Sequence, residues 1–280
     1  MKPALAESAK TSPKQDHNIV AAVSKKRKVS SRKIATDLQS KNIFVSPRTV
    51  RRRLNEAGYK YLPPMTKPLL TDKARENRLK WANENKDRNW NNVIFTDETT
   101  FELFRPPVKV WRAKGEKVVM PKVKHPLKVH AWGCFSNKGF GEIFLFSTNL
   151  NADLLCKIYK DTLLPSAQKM FGEEKQHWLL QEDNDPKHKS KAAQKWRDEF
   201  KVEKVNWPSY SPDQNPIENV WALMKSQVAQ MKIFTLKGLK MAIQSKWSNF
   251  SVELAQRLVA SIPHRIEQLI QQEGDYTMYS

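Results

Sequence analysis

Cysteine is scarce. The 280 residues contain two, Cys134 and Cys156, isolated from each other and from any histidine cluster, so neither a disulfide framework nor a thiolate zinc site is indicated, and a reducing compartment fits. No apolar run is long enough to span or anchor in a membrane, and no apolar h-region of a secretory signal is seen at the N-terminus. Acidic residues are also in deficit, 29 Asp and Glu against 49 Lys and Arg, for a formal net charge of +20. A surplus of that size points to a polyanionic partner, nucleic acid ahead of membrane; a highly soluble basic protein is the plainer alternative. The remaining composition, 39% hydrophobic and 28% charged, is that of a globular chain able to bury a core in one large domain or two modest ones.

The positive charge is concentrated near the start, where residues 1–60 hold 15 Lys or Arg against 4 Asp or Glu. Residues 1–14 read as a disordered lead-in. Residues 15–60 then show three short helical patterns. Ile19, Val20 and Val23 mark the first, beginning near Asp16. Ile34, Ala35 and Leu38 mark the second, which Ser31 can cap. Ser46 and Pro47 open the third, where Val50 and Leu54 face inward and Gly58 stops it. Three such helices make a helix-turn-helix domain, whose last helix enters the major groove. That helix carries Arg48, Arg51, Arg52 and Arg53, with Thr49 a further candidate for a base or phosphate contact. Which arginines read bases and which only position the domain is not settled by their type, and a solvated basic face of a small bundle is the plain alternative. The run Lys25, Lys26, Arg27, Lys28 reads equally as phosphate contact from the inter-helix turn and as a nuclear localisation signal.

Residues 61–88 are expected to be a linker followed by a connecting helix. Three prolines fall within 61–70, and Thr71 can cap a helix to about Asn85, with Ala74, Leu79 and Trp81 its more apolar members and Lys73, Arg75, Arg78 and Lys80 on its wet side. From 89 to 280 the pattern is α/β: three strands, helix, strand, helix, strand, helices. A strand runs into Asp97, another is expected at 101–104, and a basic, proline-bounded arm occupies 106–126. Residues 128–135 and 141–147 look like a hairpin, a helix starts at Asn151 or Asp153, and another strand leads to Asp183.

Asp97, Asp183 and Glu218 are the acids that chemistry can use. Two strand-end aspartates and a glutamate on a helix opened by Pro216 are what a site for a hard divalent cation requires, since Mg²⁺ takes oxygen ligands and few of them. If the two strands are neighbours, their carboxylates emerge at one edge, and the helix closes Glu218 over them for in-line displacement at phosphorus. Singly, each acid has a structural reading: Asp97 as a turn cap, Asp185 and Asp213 as turn formers beside proline. Glu98 points to the opposite side from Asp97 and is secondary.

The motifs FTDETTF, LLQEDNDPKH and NWPSYSPDQNPIENVW closely resemble the catalytic signatures of Tc1/mariner-family transposases. VWRAKGEK at 110–117 resembles the family's arm, and TVRRRLNEAG its second helix-turn-helix. Thirty-four residues separate Asp183 from Glu218, the spacing of the Tc1 branch. The resemblance implies an RNase H-like catalytic domain, a mixed sheet flanked by helices, behind an all-α helix-turn-helix domain. It implies Asp97, Asp183 and Glu218 as the catalytic, metal-binding triad for Mg²⁺ or Mn²⁺, with His188 contacting DNA or supporting the site, although a packing histidine explains it equally. Terminal inverted repeats in double-stranded DNA, a TA target and a homodimer on DNA are implied as well, while the expectation of a nuclear location comes from the basic run that starts at Lys25. Only one helix-turn-helix is evident where the family has two in series, so the chain reads as an N-terminally shortened copy. Two rivals stand beside the transposase: a catalytically inactive or domesticated DNA-binding protein, and another nuclease on the same fold.

Overall fold

The computed structural model describes residues 11–25, 29–61, 69–103, 127–172, 177–231 and 233–279. The chain separates into two compact units, Met1–Lys67 and Pro68–Ser280.

In the first unit, α1 (Pro13–Lys25), α2 (Ser31–Gln39) and α3 (Pro47–Glu56) enclose Ile19, Ile34, Leu38 and Val50, with Val23 and Leu54 against them. These are the residues whose helical spacing marked the three segments. Ser46 accepts from the Thr49 amide at 3.1 Å, and Pro47 fills the first turn, where its missing N–H costs nothing. Past α3, Gly58 takes φ +81°, and the amides of Gly58 and Tyr59 reach back to the carbonyls of Asn55 and Leu54. This is the Schellman closure that glycine permits. Two expectations are corrected. Ser30, not Ser31, caps α2, accepting from Lys33 N at 3.2 Å. Of the disordered lead-in expected at 1–14, residues 1–10 lie outside the described residues, and residues 11–14 are ordered: Thr11 is buried, and α1 starts at Pro13, because the Thr11 hydroxyl donates to Asp16 and accepts from Arg53.

The second unit is built on a five-stranded sheet in the order β3-β2-β1-β4-β5. Its strands are β1 (Val93–Glu102), β2 (Lys128–Ser136), β3 (Gly139–Phe146), β4 (Leu179–Gln181) and β5 (Glu203–Lys204). β1, β2 and β3 are antiparallel neighbours, while β4 runs parallel to both β1 and β5. Phe101 and Glu102, expected to open a separate strand, are the continuation of β1, and Phe104 and the arm at 106–126 lie outside the described residues.

Both faces of the sheet are covered, so its strands alternate between two cores. Val93 and Phe95 face a core shared with α8 (Ile217–Ala229), α9 (Leu236–Ser248), α10 (Val252–Ala260) and α11 (Ile262–Gln271). Ile94, between them, faces a second core made with α5 (Ala152–Ile158), a π-helical turn (Tyr159–Leu163), α6 (Leu164–Phe171) and α7 (Lys191–Glu199). Helix α4 (Asp72–Asn85), the expected connecting helix capped by Thr71, belongs to this unit. Its Trp81 packs against Trp90 and Trp207 in the first core. Arg78, expected on the wet side, is wholly buried.

Candidate active site

The parallel register pairs Phe95 with Gln181, so Asp97 and Asp183, each two residues further along, stand at the same level of adjacent strands. Asp97 lies within β1 opposite Gly133, and Asp183 just past the end of β4. Glu218 occupies the first turn of α8, the helix laid over the face to which Phe95 and Asp97 point. Asn215 fixes that placement. Its amide donates to the Thr96 carbonyl at 3.2 Å, and its side-chain oxygen accepts from the Ile217 amide at 3.3 Å. The three acids, with Asn184, Asp185, Asn215 and residues 207–212, line one cleft of about 440 Å³.

Burial raises the Asp97 carboxyl well above its ordinary range, helped by the charges of Glu218 and Glu98. Glu218 is raised too, by burial first, against the hydrogen bond it receives from Asp97. Crowding two carboxylates in a low dielectric opposes charge on both at once. Asp183 is shifted the other way: burial would raise it, but the hydrogen bonds from His188 and the Asp185 amide, with the charges of His188 and Lys187, together lower it. His188 is buried between two acids, with Nδ1 2.7 Å from Asp183 Oδ1 and Nε2 3.2 Å from Glu98 Oε1. Burial alone would lower the imidazole, but these bonds raise it to about 10.

Among the described residues, no three His, Cys, Asp or Glu side chains already stand close enough to enclose one ion. Asp97 and Glu218 engage each other, while Asp183 engages His188. The donor set is nonetheless all carboxylate oxygen, the kind a hard divalent cation takes. The repulsion that raises Asp97 is also what a cation between the acids would relieve, so the residues fit such an ion.

Sequence reasoning set Glu98 aside; on the opposite face of β1 from Asp97, it is the second support of His188. Asp213, read as a turn former, is buried in a two-pronged ion pair with Arg78, at 2.9 and 2.7 Å. Nothing in the sequence singled out Arg78 among the basic residues of α4. Asp185 is the turn former expected, accepting from the Lys187 amide at 2.9 Å.

Of the residues proposed for DNA, Arg48 and Arg51 are exposed, and Arg52 is half-buried beside Glu56, 3.9 Å away. Thr49 is buried, and its hydroxyl is spent on Ser46 at 3.0 Å. Arg53 is held inside the unit by Thr11 at 2.8 Å, Asp16 at 3.3 Å and Glu56 at 2.5 Å. Those two are structural, because the sequence shows their type but not their neighbours. Lys26, Arg27, Lys28 and the Lys25 side chain lie outside the described residues.

Comparison with known proteins finds matches along most of the chain. Residues 16–87 match a helix-turn-helix family described as transposase, and residues 92–240 match the DDE superfamily endonuclease family. The Tcb1 transposable-element transposase of Caenorhabditis briggsae is 31% identical over 275 residues, 94% of this chain and all of that protein. The Tc1 transposable-element transposase of Caenorhabditis elegans is 30% identical, over 88% of this chain and 94% of that one. Among solved structures, the mariner Mos1 paired end complex with Mg superposes with a TM-score of 0.79 at 19% identity, covering 95% of this chain and 81% of that one. The Mos1 mariner paired end complex with Mn gives 0.77 at 19% identity, with 93% and 79% covered.

Proposed function

Since the chain belongs to the Tc1/mariner family of transposases, we propose that Asp97, Asp183 and Glu218 form the metal-binding triad with which it cuts and rejoins DNA at transposon ends. The observation that carries this is the convergence of the three acids on one cleft from β1, the end of β4 and α8. Mg²⁺ or Mn²⁺ bound there would supply activation of the attacking oxygen and neutralisation of charge on the leaving oxygen.

The chain's own residues hold that geometry. Asp97 is anchored in a paired strand, and Asn215 ties the start of α8 to the backbone beside it. His188, clamped by Glu98, presents one oxygen of Asp183 and leaves the other for the cleft. The supporting role proposed for His188 is therefore to orient Asp183.

The substrates proposed are the element's terminal inverted repeats and a TA target in double-stranded DNA. Arg48, Arg51 and Arg52 on α3 are the groups offered for the repeat. Two copies would pair two ends; Mos1, a structural neighbour, has been solved as a paired-end complex. Residues 25–28 are proposed as the signal for nuclear import, which a fluorescent fusion tests: replacing the four basic residues by alanine should disperse it through the cell.

Mn²⁺-dependent nicking and strand transfer on labelled DNA carrying the element's terminal repeat test the triad. Asp97→Asn, Asp183→Asn and Glu218→Gln should each abolish products while binding stays near that of the unaltered protein. Binding by the folded unaltered protein without any cleavage would favour an inactive DNA-binding descendant instead.

A further inference from the structure

One wall of the cleft is made by residues 207–212, and in its middle Tyr210 adopts φ +56°. Left-handed backbone is sparsely populated by bulky L-residues and persists only where surrounding contacts impose it. Here they do. The Tyr210 carbonyl accepts from Arg78 Nη1 at 2.7 Å, and the next hydroxyl, Ser211 Oγ, accepts from the same nitrogen at 2.6 Å while donating to the Ser209 carbonyl at 3.1 Å. Arg78 is itself wholly buried and locked to Asp213.

This costly arrangement serves no packing of the ring. Tyr210 is 62% exposed, whereas Trp207 in the same wall is buried in the first core. An aromatic face is thus held open beside three acids, on a chain of charge +20.

We propose that Tyr210 is a substrate-contacting residue, a stacking platform for an unpaired base at the cut DNA end. The inference rests on the cleft being the site of strand cleavage. Within a duplex each base face is covered by its neighbour, so a face becomes free only at an end or where pairing is lost, and strand cleavage in this cleft creates such ends. Stacking on an aromatic ring is tolerant of base identity, which suits a residue that reads the state of the strand and not its sequence.

The test uses the full-length protein and a pre-cleaved duplex of the element's terminal repeat carrying 2-aminopurine at the unpaired end, with no divalent metal added. Unaltered protein should quench the fluorophore. Tyr210→Phe keeps the ring and should quench alike, with affinity within about twofold. Tyr210→Asn removes the ring but suits the left-handed backbone; it should lose the quench and about tenfold in affinity, the size of one base–aromatic stack, while its thermal midpoint holds or rises. In cleavage assays with Mn²⁺ the loss should fall on KM more than on kcat. Retained quenching and unchanged KM in Tyr210→Asn would overturn the proposal and leave the triad untouched. Quenching by unaltered protein that fails to cleave would support it while counting against the triad.

Discussion

His188 Nδ1 lies 2.7 Å from Asp183 Oδ1, while its Nε2 lies 3.2 Å from Glu98, an acid on the strand that carries Asp97. The histidine thereby couples the end of β4 to the middle of β1, and the aim of Asp183 depends on a residue that does not line the cleft. Removing an outer partner of a metal ligand typically costs ten- to a hundredfold in metal affinity. His188→Ala should therefore raise the Mn²⁺ concentration for half-maximal cleavage by about that factor, and calorimetric titration of Mn²⁺ should show the same weakening without DNA. Glu98→Gln should produce a smaller shift in the same direction. Unchanged metal affinity in both variants would reduce the histidine to packing.

Arg78 and Asp213 form a buried pair whose two partners come from α4 and the loop before α8. Losing one partner leaves a buried charge uncompensated, at a cost of about 3–5 kcal/mol. Arg78→Met should lower the urea midpoint strongly; Arg78→Met with Asp213→Leu should recover much of the loss.

Burial would raise the Asp213 carboxyl, but the hydrogen bonds and charge of Arg78, with the bonds from Thr277 and Gln214, together hold it below its ordinary value of 3.8. A depressed carboxylate contributes stability that is present above its unfolded pKa and lost as pH falls through the folded one. The thermal midpoint of the unaltered protein should therefore fall more steeply below pH 4 than that of the apolar double variant. Parallel acid profiles would remove Asp213 from the account.

Gly133 sits opposite Asp97 in β2, and a Cβ there would meet the rings of Trp247 and Trp221 at 2.6 and 2.8 Å. Those rings stack in the core beneath α8, the helix that carries Glu218. Gly133→Ala should destabilise by about 1–3 kcal/mol, the usual cost of overpacking, and lower cleavage by displacing α8. Differential scanning fluorimetry with a nicking assay checks both effects.

In the first unit, Arg48→Ala and Arg51→Ala should weaken DNA binding and reduce the slope of log affinity against log salt by about 1 each if they contact phosphate. Arg53→Ala should instead lower the unit's thermal stability, because Arg53 holds the start of α1 to α3. Fluorescence anisotropy across a salt series, beside a melt, separates the two effects.

Much of this organisation was written locally in the chain. Helical spacing of Ile34, Ala35, Leu38, Val50 and Leu54 marked the first unit's core, short-range side-chain capping placed the starts of α3 and α4 at Ser46 and Thr71, and Asn151, one of two candidates, caps α5. The cap of α2 was misplaced by one residue because two adjacent serines offer the same chemistry. The meeting of Asp97, Asp183 and Glu218 in one cleft was legible because each acid is tied to its own recognisable element, though Asp97, expected at a strand end, lies within β1, Asp183 just past β4 and Glu218 in the first turn of a helix that follows Pro216.

What the sequence determined by itself was therefore most of the elements, the acids associated with them and the family motifs they compose, all properties of short spans of chain. Tertiary structure alone decided which charges are spent inside the protein. Arg78 meets Asp213 across 135 residues, His188 meets Glu98 across 90, and Arg53 meets Thr11 across 42. An arginine on a helix face has the same local signature whether it meets water, phosphate or a buried carboxylate, and only the packing of distant elements selects among them. The same long-range clamp from Arg78 sets the backbone of Tyr210 and holds its ring open at the cleft.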